Sequence, residues 1–220
     1  MYDIGCDYGK VADPTLRAKF FDPMRPLFDP PTMQDEQRIP RYLARLRLKA
    51  RDIDVVFLGH LHFDHAGGRC DVPGCDVYLQ VDELAAARSG LDDGVFPDEI
   101  ANADQWRLHS GEYTVAAGVQ AIASPGHTAG HMVLFIELPK GRPVILCGDA
   151  ADLEENLREE IAPGYCWLDN EALAPTSIRK LIALAQNQNA QLWPNHDIAF
   201  FKSLPPFPTW RDQVLEIRPP

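Results

Sequence analysis

The sequence predicts a layered α/β domain, and three observations carry that expectation. Short apolar runs rich in β-branched residues recur from residue 55 onward, stretches with helical spacing flank them, and His or Asp residues sit in the turns directly beside several of the runs. The first helical stretch is residues 34–48, where Ile39, Leu43 and Leu46 recur on one face and arginines form a solvated basic face. Pro40 must then lie in the first turn, where a missing N–H breaks no helical hydrogen bond. Val55-Val56-Phe57-Leu58 reads as a buried strand ending in a polar turn. Residues 76–81 alternate as a strand, and Asp82-Glu83 opens a short Ala-rich helix that Gly90 ends. Residues 91–104 are acidic and irregular, with Gly94 and Pro97, and read as a loop on the rim of a binding site.

Strands dominate the middle of the chain. Residues 119–123, 132–138 and 144–147 fit the strand pattern, the last two joined by a Pro-Lys-Gly-Arg-Pro turn. Pro175-Thr176-Ser177 precedes Ile178, Leu181, Ile182, Leu184 and Ala185, an amphipathic helix, and Gln191-Leu192-Trp193 is a short strand before Pro194. The proline-rich tail from Pro205 is expected to wrap the surface. No linker, low-complexity block or repeat divides the 220 residues. One domain over residues 1–220 is therefore expected, large enough to bury roughly 70 % of the surface of its unfolded chain.

Composition narrows the function classes. A net charge of −11 without a Lys/Arg run repels phosphate backbones, which argues against nucleic acid and for a neutral or modestly charged small molecule as partner. The chain opens without a basic region followed by an apolar stretch and has no run of about 18 apolar residues, so neither secretion nor a membrane association is expected and the cytoplasm is the expected location. Five cysteines, Cys6, Cys70, Cys75, Cys147 and Cys166, are odd in number and scattered, which argues for mostly buried thiols instead of a disulfide framework.

The chemistry is concentrated in His60-Leu61-His62-Phe63-Asp64-His65, four potential metal ligands in six residues at the end of a predicted strand. One isolated histidine would read as structural; four ligand groups this close read as a metal site. Gly59 and Ala66-Gly67-Gly68 keep the flanking backbone pliable. Three more candidates lie beside predicted strands: His127 in Ser124-Pro125-Gly126-His127, Asp149 in Cys147-Gly148-Asp149, and His196 in Pro194-Asn195-His196-Asp197. Strand ends on one sheet edge converge, so these distant residues can meet. Five His and two Asp are too many for one tetrahedral zinc and suit two metals sharing a carboxylate.

The order His60-x-His62-x-Asp64-His65, Gly126-His127, Gly148-Asp149, His196-Asp197 resembles the metallo-β-lactamase superfamily across most of the chain. Within it, residues 52–68 and Ser124-Pro125-Gly126-His127-Thr128 are most similar to N-acyl-homoserine lactonases and 4-pyridoxolactonase. The resemblance implies an αββα sandwich with the site at one edge of its sheets. Carried over position by position, it implies a first metal on His60, His62 and His127, a second on Asp64, His65 and His196, and Asp149 bridging them. Two divalent ions per chain are implied, Zn²⁺ foremost, with Mn²⁺, Co²⁺ and Fe²⁺ also accepted by such ligands. The implied activity is a quorum-quenching type of lactone or ester opening, by a hydroxide bridging the metals, with Asp64 passing a proton to the leaving group. His131 and His109 match no ligand position; His131 is expected to orient the ligand loop and His109 to be an ordinary surface residue.

Two departures from the resemblance matter. The lactonases carry a tyrosine three residues after the bridging aspartate, and here that position is Asp152, a catalytic candidate that cannot donate a hydrogen bond unless protonated. Its place is open to another donor such as Tyr165, or to a substrate group that Asp152 binds. Met1-Tyr2-Asp3-Ile4-Gly5 resembles a segment that follows further strands in relatives, so the sheet is expected to lack its first strands and the chain to form a homodimer or to begin upstream of Met1. Two other activities compete with the hydrolase: a mononuclear-iron persulfide dioxygenase, which shares His-x-His-x-Asp-His, and a metal-binding homologue without catalysis. Phe96, Tyr165 and Trp167 are the expected receivers of an apolar chain or ring.

Overall fold

Asp7 and Asp13 start the first two helices. Asp7 accepts from the N–H groups of Gly9 and Lys10 to cap α1 (Tyr8–Ala12), and Asp13 accepts from Thr15 and Leu16 to cap α2 (Pro14–Phe21), with Pro14 at the first helical position. Sequence reading passed over both, although an Asp–Pro start is a legible signal. The computed structural model describes residues 1–101, 105–168 and 170–205. Its chain divides into two compact units, Met1–Ser110 and Gly111–Pro220.

The first unit is built on a three-stranded parallel sheet in the order β1 (Val55–Phe57), β2 (Asp76–Gln80), β3 (Trp106–His109). Parallel neighbours require crossovers, and helices on those crossovers cover the strands, which is why Val56, Phe57 and Leu58 are fully buried. Met1–Asp3 runs beside β1, with Tyr2 bridged to Phe57 and Asp3 N donating to Phe57 O at 2.9 Å. The core joins Val56, Leu58, Leu61, Val77, Leu79 and Trp106. A second cluster packs Phe21, Met24, Phe63 and Phe96 together, so Phe96 is a buried residue of this unit's core. Phe63 and Phe96 stack with ring centres 5.2 Å apart.

Four readings in this unit change. Helix α3 spans only Ile39–Arg45, because Pro40 confines the start to its own turn; residues 35–37 form a separate 3-10 turn closed by Gln37 Oε1 accepting from Gln34 N. The Ala-rich helix α5 (Val81–Ala87) opens one residue early, with Gln80 as its cap. The acidic loop contains a helical turn, α6 (Pro97–Ile100), begun by Pro97; residues 102–104 of that stretch lie outside the described residues. Strand β3 escaped notice because its two central residues are exposed and polar or aliphatic without alternation. His109, expected at the surface, is half-buried on β3 with its ring 4.7 Å from that of Tyr78, and burial lowers its pKa. Between β1 and β2 lies the short helix α4 (Phe63–Ala66).

A buried ion pair ties α1 to α6. Lys10 Nζ donates to Glu99 Oε1 at 2.7 Å and to the more exposed Asp98 at 2.8 Å, over the rings of Phe20 and Phe96. Burial raises the Glu99 carboxyl from 4.5 to about 7, even against Lys10. The folded chain therefore holds a proton here that the unfolded chain has released between those two values. Stability from this group is fully present below pH 4.5 and is lost as pH rises through about 7. Urea melts of the wild type and Glu99→Gln across pH 5–8 check this: the wild type is expected to lose stability relative to the variant with rising pH, and parallel curves would contradict it.

The second unit holds a five-stranded sheet in sequence order, β4 (Tyr113–Ala116), β5 (Val119–Ala123), β6 (Met132–Ile136), β7 (Val144–Leu146) and β8 (Gln191–Trp193). The first four strands pair antiparallel and β7 pairs parallel with β8, the crossover carrying α7 (Glu154–Glu159) and α8 (Ala174–Gln188). Gly118, at φ +72, turns the tight β4–β5 hairpin, whose first strand sequence reading missed. Leu181 and Ala185 of α8 pack with Ile122, Val133, Phe135 and Ile145, and Ile178 of the same helix is also buried, as the amphipathic pattern predicts. Helix α9 (Ile198–Ser203) closes the described chain, and the tail expected to wrap the surface lies at 206–220, outside the described residues. All five cysteines are free, but only Cys75 and Cys147 are fully buried; Cys6 and Cys166 are half-buried and Cys70 is exposed, because it lies on the 3-10 turn over Gly67–Asp71. No helix among the described residues is long and apolar enough to cross a membrane.

Candidate metal centre

In the first unit, β1 runs into Leu58-Gly59 and delivers His60, His62, Asp64 and His65 together. The rings of His60 and His62 are 4.6 Å apart and those of His60 and His65 4.0 Å, and all three histidines are buried. His62 is the residue preceding α4, so Asp64 falls in its first turn and His65 in its last; Asp64 Oδ2 lies 3.7 Å from His65 Nε2.

His62 and His65 are each aimed by a carboxylate. His65 Nδ1 donates to Asp3 Oδ2 at 2.7 Å, leaving Nε2 as the nitrogen for a cation, and Asp3 Oδ1 also accepts from Gly59 N at 2.8 Å. His62 Nε2 donates to Asp92 Oδ2 at 3.0 Å, which reserves Nδ1. Burial works against the charged form of His62, but Asp92 outweighs it and the pKa lies above that of an ordinary histidine, so a cation at Nδ1 competes with a proton. Glu83 Oε1, also buried, accepts from Leu61 N at 2.9 Å and holds the turn between the histidines. Gly94 is obligatory: a Cβ there would lie 2.7 Å from His62 Cδ2. Asp3, Glu83 and Asp92 were not singled out from sequence. Asp3 lies in the N-terminal segment that drew attention for its resemblance, and Asp92 in the loop read as a rim.

The second unit assembles the other three ligands from three separate turns. His127 follows β5, Asp149 follows β7 on the 3-10 turn Gly148–Ala150, and His196 follows β8. His127 Nδ1 donates to Tyr165 O at 2.9 Å, pointing Nε2 at Asp149 Oδ2, 3.4 Å away. His196 Nε2 lies 3.3 Å from the same Oδ2, while Asp149 Oδ1 accepts from Asn195 Nδ2 at 3.0 Å. His131, which matches no ligand position, accepts Asp149 N–H on Nε2 at 3.1 Å, and its Nδ1 then donates to Ser124 Oγ at 2.8 Å. It orients the ligand loop through the backbone, as expected from the sequence. Asp152 stands with Asp149 and His196, their ligand atoms within 4.8 Å of one another, and its backbone carbonyl accepts from His196 N at 2.9 Å.

These donors fit divalent metals. A cation bonded at about 2.0–2.1 Å to two atoms at a tetrahedral angle holds them about 3.3 Å apart. The two histidine–Asp149 separations, 3.4 and 3.3 Å, have that spacing, and both converge on one oxygen, an arrangement compatible with a carboxylate shared by two ions.

Comparison with known proteins agrees with this chemistry. Residues 26–69 match the model of the metallo-β-lactamase superfamily. The chain is 32 % identical over 183 residues to an N-acyl homoserine lactonase of a Bacillus species, covering 82 % of this chain and 70 % of the relative. It is 26 % identical over 196 residues to the N-acyl homoserine lactonase AttM of Azorhizobium caulinodans, covering 83 % and 72 %. Among solved structures, an N-acyl homoserine lactone hydrolase with N-hexanoyl-L-homoserine bound at its catalytic metal centre superimposes with a TM-score of 0.81 at 30 % identity, over 94 % of this chain and 80 % of that one. The dizinc quorum-quenching lactonase AidC shares the fold at 16 % identity, with a TM-score of 0.63 over 90 % and 68 %.

Proposed function

The chain belongs to the metallo-β-lactamase superfamily, with the N-acyl homoserine lactonases, and from that premise we propose that it is a metal-dependent hydrolase that opens an N-acyl homoserine lactone. The observation that supports this most is the convergence of His127 and His196 on one oxygen of Asp149 in the second unit, and the first unit contributes the compact quartet His60, His62, Asp64 and His65. On this reading the seven side chains hold two divalent cations. His60, His62 and His127 form one set, whose three imidazoles suit zinc, Asp64, His65 and His196 form the other, and Asp149 is common to both. Bound there, the cations supply hydroxide at neutral pH and polarise the lactone carbonyl.

The chain's own residues do the remainder. Asp64, about a third exposed, would take up the proton released as hydroxide adds to the carbonyl and pass it to the leaving ring oxygen. Tyr165, 41 % exposed with its ring 5.6 Å from His127, provides the hydroxyl donor that Asp152 does not. His131 and Ser124 hold the Asp149 backbone still while charge develops. A cavity of about 180 Å³ lined by Phe20, Pro23, Met24, Leu27 and Phe96, with Asp93 at its polar side, receives an apolar acyl group. We place the enzyme in the cytoplasm, where its five thiols stay reduced.

Chelation tests the reading. Protein dialysed against chelator is expected to lose lactone opening, followed as one proton released per ring in a pH-stat, and to recover it with Zn²⁺, Mn²⁺ or Co²⁺ at two ions per chain by mass spectrometry. Full activity after chelation refutes the mechanism. One iron per chain with persulfide-dependent oxygen uptake would assign the dioxygenase, and two metals without turnover on a lactone panel the non-catalytic homologue.

A further inference from the structure

We propose that Asp152 is a further ligand of the cation held by His196 and Asp149, which makes that position oxygen-rich and raises its coordination number above four. This deepens the dinuclear reading above and rests on it. The ligand atoms of Asp149, Asp152 and His196 lie within 4.8 Å of one another, so a single ion can touch all three. The grouping is a mixed imidazole–carboxylate set and not an acidic surface patch: Asp149 is buried and Asp152 half-buried.

The backbone holds this juxtaposition in place. Asn195 N donates to Ala151 O at 3.2 Å and His196 N to Asp152 O at 2.9 Å, so the turn after β7 and the turn after β8 run as a short paired ladder. Asp152 and His196 therefore move together. On the far side, Gly164 N donates to Asp152 Oδ2 at 3.4 Å, which holds the carboxylate on this turn. Two ionised carboxylates this close repel, and a cation held between them removes that repulsion.

The chemical consequence follows from ligand hardness. With Asp64 and His65, this position would offer three carboxylates and two imidazoles, against three imidazoles and the shared carboxylate at the other. Oxygen-rich, higher-coordinate sites suit Mn²⁺ and comparable ions, whereas a four-ligand imidazole-rich site suits zinc. The two positions are thus expected to differ in metal preference, a mixed pair being the filled state when both ions are available.

Cobalt titration of the full chain decides, since the intensity of the Co²⁺ visible bands reports coordination number independently of turnover. The wild type is expected to take two Co²⁺ per chain, the second giving the weak absorption of five or six ligands. Asp152→Asn and Asp152→Ala are expected to weaken that second step at least about tenfold and to intensify its bands, while the first step stays unchanged. Asp152→Glu restores affinity and weak absorption. Circular dichroism identifies a variant that has not folded, and the nearly isosteric asparagine then carries the comparison. Unchanged second-step affinity and spectrum in Asp152→Asn overturn the Asp152 assignment alone. A wild type that takes a single ion overturns the dinuclear reading and this inference with it.

Discussion

Replacing Asp149 with alanine is expected to cut kcat/KM for lactone opening by at least about 10³-fold. Loss of an orienting partner costs 10–100-fold in such centres, and Asp149 is itself the group on which two imidazoles converge. The substitution leaves His127 Nε2 and His196 Nε2 facing a space with no anion between them, so the bound metal should fall below two per chain. The backbone anchor survives, because His131 accepts from the Asp149 N–H and not from its side chain. Folding should therefore be retained, and a thermal melt separates loss of chemistry from loss of structure. Rates measured together with metal content check the expectation; a variant with two ions and near-normal kcat/KM would refute the shared-carboxylate role.

Gly68→Ala is expected to be among the most destabilising single substitutions in the first unit. A Cβ on Gly68 would lie 2.0 Å from the backbone oxygen of Ile4, and no side chain can swing aside to relieve it. The segment 3–5 cannot retreat without breaking Ile4 N to His65 O at 2.8 Å and Gly68 N to Gly5 O at 2.9 Å. Overpacking ordinarily costs about 1–3 kcal/mol, and lost backbone hydrogen bonds add about 1 kcal/mol each. A total of about 3–5 kcal/mol lowers Tm by roughly 10 °C for a chain of this size. Because Asp3 is drawn away from His65 in the process, metal affinity should fall as well. A calorimetric Tm within about 2 °C of wild type would show that the segment yields freely.

Much of the centre was legible because its chemistry is compressed. His60, His62, Asp64 and His65 occupy six residues after a β-branched run, so local pattern alone announces a strand handing ligands to a turn. His127, Asp149 and His196 were legible only as suspects, each a lone polar residue beside an apolar run. The orienting groups were not legible. Asp3 meets His65 across 62 residues and Asp92 meets His62 across 30, and neither separation follows any helix or strand period. The missed strands failed for a related reason: β3 and β4 are held by pairing with better strands more than by their own apolar alternation.

What the sequence determined by itself is therefore the kind of chemistry and the elements that carry it. Donor identity, strand ends and the proline and aspartate punctuation are properties of a few adjacent residues, and local sterics and hydrogen bonding enforce them wherever the chain goes. Tertiary structure alone decided which nitrogen of His62, His65 and His127 faces a cation, that Phe96 serves the core, that Gly94 and Gly68 admit no side chain, and that Asp152 stands beside His196. These depend on segments brought together by burial of the two cores, and contacts between distant segments leave no local trace in the sequence.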